Sequence, residues 1–167
     1  MNDDKKLKQV PVEMLEDAAK LWLAHDGLWF QEVEKLVGIE KAIELDRNAW
    51  AKFTVIEAKR IMERQNIPEG GGLEALKKAL QYRLYAYINV QDVVEETENS
   101  FLFRMVDCRV QSARHRKGLA AFPCKTVGIV EYTEFARTVD PRIKTECVHC
   151  PPDEKHPAYW CAWRFSI

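Results

Sequence analysis

FPCKTVGIVEYTEFARTVD, residues 122–140, carries its apolar positions three and four apart. RIKTECVH, residues 142–149, and YWCAWRFSI, residues 159–167, alternate in steps of two. A change of period from 3.6 to 2 predicts a helix followed by two strands. Pro123 opens the helix and Asp140-Pro141 closes it, while the strands run over 143–148 and 159–167. Pro151, Pro152 and Pro157 mark an irregular loop between the strands.

Immediately upstream, residues 90–96 and 101–110 read as two more strands joined by a turn at 97–100. Phe101, Phe103 and Met105 alternate there with Leu102, Arg104 and Val106. The segment 112–121 is basic and loop-like. The helix at 123–140 is therefore inserted between two strand pairs.

Further upstream the period is helical. A helix is expected from Val10-Pro11 to Val37, stopped by Gly38, with Leu15, Ala18, Trp22, Trp29, Val33 and Leu36 as its buried stripe. A second runs from Ile39 to Arg64 with Ile43, Trp50, Phe53 and Ile61 inward, and ends in NIPEGGG (66–72). A third runs from Leu73 to Tyr87 on Leu73, Leu76, Leu80 and Leu84. Residues 1–9 read as a frayed end. The expectation is an α+β fold: N-terminal helices packed on an antiparallel sheet of about four strands. Residues 1–167 make a single domain, helical over 10–87 and sheet-forming and cysteine-rich over 88–167.

Composition narrows the function. The net charge is −1 over 167 residues, which gives no global electrostatic reason to bind nucleic acid or an anionic membrane. The run Arg114-His115-Arg116-Lys117 has no interleaved aromatic residues and reads as a solvated loop or an anion contact. No apolar run approaches the roughly 20 residues of a membrane span, and the polar N-terminus lacks the apolar core of a signal peptide. A cytoplasmic location is expected. Five cysteines in that setting argue for reduced thiols, a metal site or a reactive cysteine rather than a disulfide framework.

Direction sorts the cysteines. Tyr159, Cys161, Trp163 and Phe165 share one strand face, and Cys147 shares another with Ile143 and Thr145. Cys124, Val127, Gly128, Glu131 and Phe135 share one side of the inserted helix. Cys150 follows Cys147 in a C-x-x-C knuckle around His149. Cys124, Cys147, Cys150 and Cys161 thus form a candidate metal set, with zinc as the expected ion and an iron–sulfur cluster as the lesser choice. The competing reading makes Cys124 and Cys161 small buried apolar residues. Cys108, on the Leu102, Val106 and Val110 face, is a candidate nucleophile if a base such as His25 or His115 reaches it.

Three polar residues fall on apolar stripes. His25 lies between Trp22 and Trp29, Glu57 between Phe53 and Ile61, and Asp46 between Ile43 and Trp50. Buried acids with shifted pKa are frequent at functional sites. His25, Glu57 and Glu131 are therefore candidate acid–base groups in a pocket between helices and sheet. The competing reading is a satisfied structural hydrogen-bond network.

AHDGLWF (24–30), FRMVDCRVQ (103–111), the 122–136 stretch, CVHCPPD (147–153) and CAWRF (161–165) resemble an uncharacterised group of prokaryotic cytosolic proteins. That group is similar to the L-2-amino-thiazoline-4-carboxylic acid hydrolase-like proteins. More distantly, the order of helix, cysteine strand, loop and C-x-W-x-F strand resembles the four-vinyl-reductase-type small-molecule-binding domain. The resemblance implies an α+β fold with a ligand pocket and a ring-opening hydrolase, and points to Cys124, Cys147 and Cys161. The chain departs from the looser pattern by Pro151-Pro152-Asp153 in place of a glycine-rich turn, and by the extra Cys150.

The resulting expectation is a small-molecule-binding protein with a cysteine-ligated metal, or a metal- or cysteine-dependent hydrolase. The alternative is a non-catalytic ligand-binding or sensing module with structural cysteines. A third class is an interaction protein, for instance a homodimer, built on an exposed tryptophan patch around Trp160.

Overall fold

The computed structural model describes residues 11–154 and 156–167. The frayed end expected over 1–9, and Val10, lie outside them. Two long helices come first, α1 (Val12–Val37) and α2 (Ile39–Gln65). Gly38 separates them at φ 83°, a conformation glycine adopts at no steric cost. Asn66 ends α2 in the left-handed region at φ 50°.

The expected stripe of α1 is only partly the buried one. Ala19 and Leu23 are buried, and Trp22 and Phe30 pack against the cluster of Trp50, Phe122 and Val127, whereas Leu15, Trp29 and Leu36 are exposed. The helix is apolar on more than one side, so spacing alone admits two adjoining faces. The small Ala19 marks the face that packs inward. His25 is exposed, contrary to its place on the expected stripe.

The third helix, α3 (Gly72–Leu80), is shorter than expected. The chain turns extended at Arg83 before a 3-10 turn over Leu84–Tyr87. That break carries the Arg83 side chain into the interior, where it is 2% exposed. Asp140, itself buried, accepts the Gly72 N–H at 2.9 Å and so ties the start of α3 to the end of the inserted helix, α5 (Lys125–Val139).

The sheet follows the expected plan. Strands β1 (Val90–Val94), β2 (Ser100–Asp107), β3 (Lys144–His149) and β4 (Cys161–Ser166) pair antiparallel in the order β1-β2-β4-β3. Phe103 stands opposite Trp163, and Phe101 opposite Phe165. These four rings, with Tyr132 and Phe135 of α5 (Lys125–Val139) and Leu76 and Leu80 of α3, form the main core. Each fully buried aromatic contributes roughly 1.5–3 kcal/mol of transfer free energy. On the outer face Arg104 and Arg164 pair with Asp92 and Glu95.

One segment differs from expectation. β2 stops at Asp107, and α4 (Arg109–Arg116) replaces both the strand end and the basic loop. Asn89 Oδ1 accepts the Arg109 N–H at 2.8 Å, and Asp107 Oδ1 accepts the Ser112 hydroxyl at 3.1 Å. Arg114, His115 and Arg116 lie in the last turn, where cations suit the negative end of the helix dipole. Cys108 is therefore the residue before a helix, not a member of the Leu102–Val106 strand face.

Candidate ligand cavity and thiol cluster

The break between β2 and α4, and the packing of α1 across α2, leave a cavity of about 410 Å³. Its wall is mainly apolar and aromatic, with Phe30, Trp50, Tyr85, Phe122, Tyr132 and Trp163 among the lining side chains. Gly128 also lines it. A Cβ there would come within 2.6 Å of Trp163 Cζ2, so the glycine permits the contact between α5 and the Trp163 ring. Trp50 stacks on Tyr85 with centroids 5.9 Å apart.

Four cysteines reach the cavity: Cys108, Cys124, Cys150 and Cys161. Cys147 does not line it but packs against the core beside it. Cys124 precedes α5, and the C-x-x-C knuckle is fastened to the same helix end. Pro151 O accepts the Lys125 N–H at 2.9 Å. Lys125 Nζ lies 2.8 Å from both Asp153 carboxylate oxygens, and Asp153 Oδ2 accepts the Cys150 N–H at 3.1 Å. Asp153, read from sequence only as part of a departure from pattern, is thus the clamp of the knuckle.

Cys150 is fully buried, it lines the cavity with Cys124 and Cys161, and Cys147 packs beside the same core. Contacts with Cys124 and Cys161, then burial, hold its proton far above the ordinary thiol range. Two neighbouring sulfurs accept N–H donors: Cys124 from Gln111 Nε2 at 3.0 Å and Cys161 from Trp163 Nε1 at 3.3 Å. Burial pushes Cys108 up to about 12 and Cys147 to about 11, so neither is an activated thiolate. Among the described residues, no group of three or more His, Cys, Asp or Glu side chains stands ready to hold a metal ion.

The acidic residues divide in the same way. Glu131 is buried and lines the cavity, with its Oε1 2.6 Å from Arg83 Nη2. Glu57 sits behind it, with Oε2 2.9 Å from Arg83 Nε, and does not line the cavity. Burial raises the Glu131 carboxyl and Arg83 opposes that shift. The Arg83 guanidinium lies 5.4 Å from the Tyr85 centroid and 4.9 Å from that of Phe135. Glu57 and Glu131 do converge, but on a buried cation rather than on each other as free acid–base groups. His25 does not line the cavity, and His115 is exposed.

Sequence reading did not single out Asp26 and Arg83. Asp26 and Asp46 both face the cavity. Burial, then the charges of Asp26 and Glu131, push Asp46 up to about 7, against a hydrogen bond from Trp50. The signal for Arg83 was present in QYRLYAY (81–87), a lone cation inside an aromatic run.

Residues 5–167 match the model of a family of unknown function, DUF6125. The chain belongs to that family. A search of the curated proteins finds no match for this DUF6125 member. No helix among its described residues is long and apolar enough to cross a membrane.

Proposed function

We propose that this DUF6125 protein binds a small, largely apolar organic molecule in the cavity between α1, α4, α5 and the sheet. The observation that carries this is the cavity itself, about 410 Å³, with a mainly apolar wall built on aromatic rings and charged residues set around it. Small-molecule sites share that form: a concave apolar wall with a handful of placed polar groups. A cytoplasmic location is part of this reading, and five cysteines free of disulfides are consistent with a reducing compartment. Elevated Cys108 and buried, paired Glu131 favour binding over nucleophilic catalysis.

The test is a titration with the neutral dye N-phenyl-1-naphthylamine. Saturable fluorescence enhancement is expected, and it should vanish in Gly27→Phe. Gly27 lines the cavity mid-helix, and a Cβ there meets nothing within 4 Å, so the ring enters open space without disturbing the core. No saturable enhancement in the wild-type protein, or unchanged binding in Gly27→Phe, rejects the proposal.

A second reading, a soft metal such as zinc at the thiols, is favoured by Cys150 lining the cavity with Cys124 and Cys161, by Cys147 packed beside the same core, and by the N–H donors on Cys124 and Cys161. Such donors commonly orient metal-bound ligands. The thiols must move onto a common centre to bind it. A position left open there would suit a hydrolase, and a closed shell would be structural. Elemental analysis of native protein and of Cys150→Ser tests it. About one zinc per chain, lost in the variant, supports this reading, and no metal in either removes it.

A further inference from the structure

The cavity wall is mainly apolar, and its charged residues are sorted by depth: Glu131 is buried and Asp46 half-buried, whereas Asp26, Arg109, Arg116 and Lys117 are exposed. Asp26 on α1 and Asp46 on α2 both line it, and among the described residues neither forms an ion pair. Glu131 lines it as well, and there two carboxylates share the single guanidinium of Arg83. The interior therefore holds more carboxylate than cation. The cations at the rim do not offset this. Lys20 is engaged by Glu16 at 3.5 Å and Asp17 at 3.6 Å, and Arg114 by Glu34 at 3.3 Å and the Ala120 carbonyl at 2.8 Å, while Arg109, Arg116 and Lys117 are exposed to solvent.

Aromatic rings line the same cavity as these carboxylates. Trp50 stacks on Tyr85 with centroids 5.9 Å apart, and both rings line the cavity together with Asp26, Asp46 and Glu131. Ring faces beside carboxylates in an enclosed space are the recognition chemistry of an organic ammonium ion. The rings attract the cation through their quadrupoles, and the carboxylates supply its counter-charge. An anionic ligand would set a like charge beside Glu131 and beside Asp46, which is half-buried and forms no ion pair among the described residues.

We infer that the ligand is an organic cation, an alkyl- or arylammonium whose charged head lies between Asp26, Asp46, Trp50 and Tyr85. Its apolar body points along the wall toward Met105, Trp163 and the thiols. The inference rests on the proposed use of the cavity and names the class of molecule that enters it.

Three probes with one chain and different heads decide it: heptylammonium, 1-heptanol and heptanoate, each competing with N-phenyl-1-naphthylamine. Heptylammonium should displace the dye at roughly tenfold lower concentration than 1-heptanol, as expected for a desolvated cation–π and charge contact. Heptanoate should be the weakest. In the Asp26→Asn, Asp46→Asn double variant the ammonium advantage should fall below about threefold, with 1-heptanol unchanged as a control for an intact cavity. Equal displacement by 1-heptanol, stronger displacement by heptanoate, or an undiminished advantage in the double variant would overturn the ligand class while leaving the cavity reading intact. Absence of dye binding in the wild-type protein would instead reject the cavity reading, and the ligand class with it.

Discussion

Arg83 Nη2 lies 2.6 Å from Glu131 Oε1, in a part of the fold where the arginine is 2% exposed. Burial works against the guanidinium, and Glu57 with Glu131 outweighs it, so the cation stays charged. The pair joins the turn after α3 to α5 and fixes one wall of the cavity. Removing one partner of a buried ion pair strands the other. Arg83→Met should therefore cost about 3–5 kcal/mol, read as a lower urea midpoint. A loss under about 1 kcal/mol would show that the carboxylates are simply protonated when the arginine is gone.

Gly27 gives the opposite sign. It lies inside α1 with open space where a Cβ would be. Gly27→Ala should stabilise the protein by about 1 kcal/mol through helix propensity alone. Thermal unfolding checks this, and a lowered Tm would mean that the backbone there is not an ordinary helix.

Gly128 is different because its missing Cβ is filled by Trp163. Gly128→Ala should overpack that contact and destabilise by about 1–3 kcal/mol. The near-ultraviolet circular dichroism of the tryptophans should change with it. Unchanged stability and an unchanged spectrum would show that Trp163 moves aside freely.

Asp46 predicts a pH dependence. Its folded pKa is raised from 3.8 to about 7, by burial first and then by Asp26 and Glu131. The folded state thus holds the proton more tightly than the unfolded state. Its contribution to stability is fully present below the unfolded value and is lost as pH rises toward and through about 7. Asp46→Asn should remove that decline and raise Tm at pH 8 relative to wild type. A variant that matches wild type across pH 4–8 would show that Asp46 titrates normally.

Much of this was legible in the chain. The change from helical to alternating period placed the four strands and the inserted helix, because one-sided burial imposes a period on each element. The inward side of α5, with Cys124, Val127, Gly128, Glu131 and Phe135, also followed from spacing. The stripe of α1 did not, because Leu15, Trp29 and Leu36 offered a second apolar face that stays exposed. The helix at Arg109–Arg116 was hidden by its charge: its stop and start depend on Asn89, twenty residues away. The convergence of Glu57 and Glu131 was expected, but the cation between them was not. Arg83 reaches that point only because α3 breaks off at Leu80, and no local pattern records a tertiary ion pair.

The most direct test of the account is a crystal structure grown with N-phenyl-1-naphthylamine. The account predicts density for the dye inside the cavity, between Trp50 and Tyr85 on one side and Trp163 on the other. Dye bound only on the outer face of α1, or a cavity filled by ordered water with no dye present, would contradict it.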